Sequence, residues 1–149
     1  MVPSVLNGTP IRLIGDPDAP HSFTYVPDLA AAMNAATGLP RTPDRGLHAQ
    51  TLPALTQRTL VEAFATTAGV STPKLTGTPG KVVRALGLIM PSMRELGEMT
   101  YQFDRPFVMD SISSEQALSL SPTPLETAAA ETVQWWQAEL AAAPTPARI

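Results

Sequence analysis

Cysteine is absent from this chain, which removes disulfide frameworks, thiol nucleophiles and thiolate metal sites together. Histidine is scarce: only His21 and His48 occur, too few for a multi-histidine metal centre. Charge is thin, with Asp, Glu, Lys and Arg making up 15% of 149 residues against a usual ~25%. So little charge points to a surface that meets a partner, or to a compositional bias toward Ala, Pro and Thr. The formal net charge of −3 gives no electrostatic case for nucleic acid. No apolar run approaches the ~20 residues that span a bilayer, and the first residues do not follow a signal-peptide pattern. The expectation is therefore a cytoplasmic chain with neither a membrane nor a nucleic-acid partner.

What is present is a hydrophobic share of 44%, enough for one domain with its own core. No internal repeat is visible. Met1 to Gly8 reads as the end of a helix closed by Gly8. Ile11, Leu13 and Ile14 predict a short strand, and Phe23, Tyr25 and Val26 a second one, separated by the turn-rich Gly15 to Pro20. Pro27 and Asp28 open a helix whose apolar face is Leu29, Ala32, Met33 and Ala36, ended by Gly38. Arg41 to Gly46 reads as a loop and Leu47 to Leu52 as a strand. Thr56 caps a helix running to Ala68, with Leu60, Val61, Phe64, Ala65 and Ala68 on one face and Gly69 after it.

Val70 to Pro79 reads as a linker. Thr78 and Pro79 open a helix through Leu88, and a further helix runs from Pro91 to Phe103 with Met93, Leu96, Met99 and Phe103 inward. Phe107 to Met109 predicts a brief buried strand after Pro106. Ser114 to Leu120 would be a helix capped by one of Asp110, Ser111, Ser113 and Ser114, and stopped by Pro122. Thr123, Pro124 and Glu126 then make a Thr-x-x-Glu capping box for the last helix. Leu125, Ala129, Val133, Trp136 and Leu140 form its buried stripe, which leaves Trp135 exposed or at an interface.

Two segments carry a resemblance. The first is Asp104 to Gln137, with Arg105, Phe107, Val108, Asp110, Ser111, Pro122, Thr123, Pro124, Leu125, Glu126, Thr132, Val133 and Trp135 in register. The second is Ile11 to Asp16 followed by His21 to Ala30, reading His-Ser-Phe-Thr-Tyr-Val-Pro-Asp-Leu-Ala. In this order and at this spacing they resemble the C-terminal end of the extended short-chain dehydrogenase/reductases, the NAD-dependent epimerase/dehydratases. The family commonly carries a basic residue near Ser113, where this chain has serine.

The resemblance implies an α/β protein (α+β if the piece stands alone). It would be the C-terminal part of an NAD(P)-binding Rossmann-like epimerase fold, mostly helical with a few short strands. Residues 1–69 would complete the packing on the Rossmann side, 70–143 would form a helical substrate or lid part, and 144–149 a tail. The family's cofactor fingerprint is missing: nothing reads G-x-G-x-x-G or G-x-x-G-x-x-G, the glycines that let backbone amides approach a pyrophosphate. Its Tyr-x-x-x-Lys pair is missing too. Tyr101 with Arg105 only mimics it, in the wrong part of the pattern, and Arg cannot exchange its proton usefully.

These features lead to the expectation of a C-terminal substrate-binding fragment, not catalytic alone and binding no cofactor by itself, whose nucleotide-binding half lies elsewhere. The alternative is a stand-alone binding module that pairs with a separately encoded Rossmann partner. In the intact family the ligand is a small-molecule substrate and the cofactor NAD(P). The resemblance offers Arg105 as an anion-binding group for substrate, the plain alternative being a structural ion pair. It offers His21 as a ligand contact, the alternative being a solvated loop residue. Met99 and Phe103, with Met93, would line a substrate pocket or simply fill core. Tyr25 reads as half-buried core, Asp28 as a helix-start residue and Asp110 as a cap. With the nucleotide-binding half missing, Phe23, Tyr25, Leu29, Met33 and Leu47 should lack a cover, so the chain should self-associate or seek that half.

Overall fold

The computed structural model describes residues 1–39 and 46–142. Helices dominate, joined to one two-stranded parallel sheet. In chain order the elements are α1 (Val2–Leu6), β1 (Ile11–Ile14), α2 (Val26–Thr37), α3 (Gln57–Ala68) and β2 (Leu75–Thr78). The order continues with α4 (Gly80–Leu86), α5 (Pro91–Met99), α6 (Tyr101–Asp104), α7 (Ile112–Leu118) and α8 (Leu125–Ala142).

The core lies where α1, β1, α3 and α8 meet. Val2, Val5, Ile11, Val61, Phe64, Ala65, Ala129 and Val133 are buried together, with Leu13, Leu60, Leu75 and Trp136 packed around them. Both ends of the sequence thus feed one core. At about 0.8 kcal/mol per buried methylene, this shared cluster is the main source of stability.

Helix α3 shows why its sequence folds locally. The Thr56 hydroxyl accepts from the Thr59 amide at 3.0 Å, taking up one of the unpaired first-turn donors. Gly69 closes the other end at φ +66, a conformation that costs glycine little. The sheet has a less local origin. β1 and β2 pair in parallel from Ile11 with Leu75 to Ile14 with Thr78. Parallel strands require a long crossover, here one that carries α2 and α3. Beyond β1 the chain turns at Gly15, φ +82, where any side chain would strike the backbone of Phe103.

Several sequence expectations need correction. Val70 to Pro79 is not only a linker, since it contains β2; pairing with β1 supplies the hydrogen bonds that Thr- and Gly-rich residues would not recruit alone. The strand expected at Phe23 to Val26 is absent: His21 makes isolated bridges to Leu55 and Phe107, and Val26 already starts α2. Leu47 to Leu52 is irregular, having no strand beside it among the described residues. Phe107 to Met109 is not a buried strand, because Phe107 is 54% and Val108 62% exposed and only Phe107 is bridged.

The helix at Pro91 breaks at Thr100, which is fully buried and bonded to the Gly97 carbonyl, so α5 and α6 are separate. Met99 points outward from this break, at 48% exposure, and is not core. Helix α7 starts at Ile112, before the expected Ser114, and ends at Leu118, short of the expected Leu120, because Ser119 turns left-handed at φ 53 ahead of Pro122. On α2 only Asp28 and Ala32 are buried; Leu29 and Met33 are exposed, in line with the expected lack of a cover, while Phe23, Tyr25 and Leu47 are half-buried. Leu140 at the end of the α8 stripe is 40% exposed. The loop expected at Arg41 to Gly46 lies, except for Gly46, outside the described residues, as does the tail 144–149.

Candidate functional site

The α8 stripe that meets α3 does not fill the space beside it. A cavity of about 730 Å³ opens between α8, α3, the segment leading into α2, and the irregular stretch from Gln50 to Leu55. That volume falls within the ~300–1,000 Å³ of small-molecule sites. Its walls are mostly apolar: Phe23 and Pro27 on one side, Leu52, Leu55, Leu60 and Phe64 below, and Ala128, Trp135 and Trp136 from α8. Pro27, Pro53 and Pro122 shape its edges; each fixes its own φ and removes a backbone donor from the lining.

Two polar ties hold the walls together. Asp28 is 8% exposed, and its two carboxylate oxygens accept from the Thr123 amide at 2.8 Å and the Thr123 hydroxyl at 2.7 Å. The capping box expected between Thr123 and Glu126 is not formed among the described residues: the Thr123 hydroxyl donates to Asp28, 95 residues away, and accepts from no amide of α8. The Tyr25 hydroxyl donates to Oε2 of Glu131, 106 residues away. That bond stabilises the neutral phenol, and with partial burial it pushes Tyr25 up to about 12. Tyr25 thus remains a fixed donor at neutral pH and supplies no mobile proton.

One lining group is left over. Gln50 is 2% exposed, and its side-chain oxygen has no hydrogen-bond partner among the described residues. Buried acceptors are nearly always paired, and an orphan costs about 1–3 kcal/mol. At the cavity mouth Trp135 stacks edge-on against Trp136, with centroids 4.8 Å apart at 81°; Trp135 is 54% exposed while Trp136 packs on the core.

The four residues singled out from the resemblance sit elsewhere. Neither Arg105, His21, Met99 nor Phe103 lines this cavity. His21 is not a solvated loop residue. It is 9% exposed, with Nδ1 2.8 Å from the Ala19 carbonyl oxygen and Nε2 2.7 Å from that of Gln102. Its backbone also bridges to Leu55 and Phe107, so His21 is a structural junction with both ring nitrogens occupied. Arg105 is exposed and takes no part in the one ion pair among the described residues, Arg58 with Asp18. Phe103 is half-buried, and its carbonyl accepts from the Asp16 amide at 3.0 Å. Asp110 is not the N-cap of α7, which is Ser111; it lies one residue earlier, and its Oδ1 accepts from the Ile112 amide at 3.0 Å in a local turn.

The residues at hand do not fit a dinucleotide. No Lys, Arg or His lines the cavity among the described residues, and two carboxylates do. The turn after β1 carries a single glycine, Gly15, followed by Asp16 and Asp18. The first amide of α4, at Gly80, already donates to the Asp104 carboxylate at 3.1 Å. A pyrophosphate would meet repulsion at each of these places. The described residues also hold no group of three or more acidic, His or Cys side chains suited to a metal, and none of their helices is long and apolar enough to cross a membrane. No protein-family model matches this chain, and no curated protein sequence matches it.

Tyr25, Asp28 and Thr123 are legible in the sequence as single residues but not as a site, and Gln50 is not legible at all. Asp28 and Thr123 look like two independent helix starts in sequence. Only their pairing across the fold makes them a clasp.

Proposed function

We propose that this chain is the substrate-binding portion of an NAD(P)-dependent epimerase/dehydratase-like oxidoreductase, and that cofactor and proton-transfer residues come from a nucleotide-binding half. The observation that carries this is the clasp. The two segments resembling that family are far apart in sequence, and Asp28 with Thr123 joins them by two hydrogen bonds beside an apolar cavity. A second support is the uncovered face of α2, where Val26 is 73%, Leu29 45% and Met33 65% exposed, a surface suited to such a half.

On this reading the chain binds and orients a substrate but transfers no hydride by itself. The test is to co-express it with a nucleotide-binding half bearing G-x-x-G-x-x-G and Tyr-x-x-x-Lys, encoded beside it. A 1:1 complex that binds NAD(P)H, where the chain alone binds none at micromolar concentration, is the expected result. Micromolar 1:1 binding of NAD(P)H by the isolated chain in calorimetry would sink the reading.

A further inference from the structure

We infer that the cavity takes an organic cation: an apolar, ring-bearing body with one protonated amine, the ammonium held at the mouth by the Glu131 carboxylate and the Trp135 indole. This deepens the substrate-binding reading by naming the substrate class, and it rests on that reading only for calling the ligand a substrate. The fit itself rests on the walls of the cavity.

The interior sets the body. About 730 Å³ of mostly apolar space exceeds what one small ring fills. Phe23, Phe64 and Trp136 favour rings there by stacked or edge-on contact. The mouth sets the charge. The described lining holds two carboxylates, Asp28 and Glu131, and no Lys, Arg or His. They differ in what they have left to offer. Asp28 is 8% exposed, and both of its oxygens accept from Thr123. Glu131 is exposed, and only its Oε2 is engaged, by the Tyr25 hydroxyl; Oε1 has no partner among the described residues. Tyr25 is a neutral donor, so it fixes this carboxylate without cancelling its charge, and a fixed group loses less freedom when a ligand binds. Glu131 and Trp135 stand four residues apart on α8, neighbours on one side of the helix, and both are exposed members of the lining. An ammonium between them gains a charge-assisted hydrogen bond and the negative face of an indole. A neutral ligand of the same shape gains the apolar contacts alone, and an anion such as a nucleotide diphosphate meets repulsion.

The test uses the full chain and three two-ring probes of similar shape in titration calorimetry at neutral pH: 4-phenylbenzylamine, 4-phenylbenzyl alcohol and biphenyl-4-carboxylate. The amine should bind 1:1, with the alcohol about tenfold weaker and the carboxylate weaker still. Added salt should narrow the gap between amine and alcohol. Glu131→Gln should close most of that gap while the alcohol binds as before, which separates loss of the charge from loss of the fold; the new amide oxygen can still accept from Tyr25. Trp135→Leu should weaken the amine more than the alcohol. Ala128→Phe should abolish binding of both, with a retained cooperative melt as the check on folding. Equal affinity of amine and alcohol for the native chain would overturn the inference and leave a cavity that selects by shape alone. So would a gap that survives Glu131→Gln, tightest binding of the carboxylate, or no binding of any probe. If the Glu131-dependent gap appears but no nucleotide-binding half associates, the ligand class stands and the oxidoreductase reading falls. If a half associates and binds NAD(P)H but the gap is missing, the reverse holds.

Discussion

Helices α2 and α3 are each 12 residues long, and each carries an apolar face in its sequence. Only one of them uses it. Helix α3 buries Val61, Phe64 and Ala65 against α1 and α8, whereas α2 leaves Val26, Leu29 and Met33 in solvent and buries an aspartate instead. Apolar packing holds α3. Polar bonds at its first turn hold α2: Asp28 to Thr123, and its N-cap residue Tyr25 to Glu131. An amphipathic pattern states that a helix face needs cover. It does not state whether this chain provides it.

The contrast is broken most strongly at Phe64. Phe64→Ala should cost about 4 kcal/mol, because the ring is 8% exposed within the shared core and its loss leaves a cavity. Met33→Ala, at 65% exposure on α2, should stay within about 0.5 kcal/mol. Denaturant titrations of the two variants check this directly. Comparable losses would mean that α2 buries its face after all, for example in a dimer.

The tryptophans repeat the comparison on one helix. Trp136 packs on the core and Trp135 is 54% exposed. Trp136→Ala should cost on the order of 3 kcal/mol, and Trp135→Ala clearly less. Equal losses in a urea titration would put the wrong indole inward.

How much of this was readable in the residues depends on how far each cause reaches. Helix α3 was readable to within a residue because Thr56, its face and Gly69 act within one helix. β1 was readable from Ile11, Leu13 and Ile14, but β2 was not, since Leu75 to Thr78 becomes a strand only beside β1. Leu47 to Leu52 has the converse history: its residues suit a strand, and no strand pairs with it among the described residues. The site was the least readable part. Thr123 satisfies every local rule for a capping residue, yet its hydroxyl is claimed by an aspartate from the other end of the chain. Gln50 has no local signature at all, and its unpaired oxygen follows only from which walls close over it.

The clasp gives the next largest effect. Asp28→Ala leaves the Thr123 amide without its acceptor in a mostly buried place, so it should cost about 2 kcal/mol. Thr123→Val should cost less, because it removes the hydroxyl but keeps the amide bond. The double variant should lose less than the sum of the two, as expected for groups in direct contact. Strict additivity in a double-mutant cycle would show that the two residues act separately and that α2 is held elsewhere.

A smaller effect in stability, but a visible one in solution, is expected on the uncovered face. Leu29→Glu with Met33→Glu should leave the thermal midpoint nearly unchanged and reduce self-association in light scattering, because it breaks the exposed apolar patch on α2. Unchanged association would move the sticky surface elsewhere, with Leu88 and Ile89, 88% and 83% exposed between α4 and α5, as the next place to change.

The smallest effect distinguishes the second tie of α2 by its pH dependence. The neutral phenol of Tyr25 donates to the Glu131 carboxylate, which pushes Tyr25 from its ordinary value up to about 12. In the unfolded chain it returns to about 10. A group raised in the folded state stabilises the fold fully below its unfolded value, and loses that contribution as pH rises through the folded one. Wild type should therefore exceed Tyr25→Phe by a constant margin from neutral pH to about pH 10. The margin should shrink toward zero by about pH 12. The phenolate absorbance of Tyr25, isolated in a Tyr101→Phe background, should rise over the same interval. Since the tyrosine is only partly buried, solvent screens the bond and the margin should stay well below that of Asp28→Ala. A margin unchanged through pH 12 would mean that the hydroxyl does not hold α2 to α8, and that Asp28 with Thr123 is the only tie at that end.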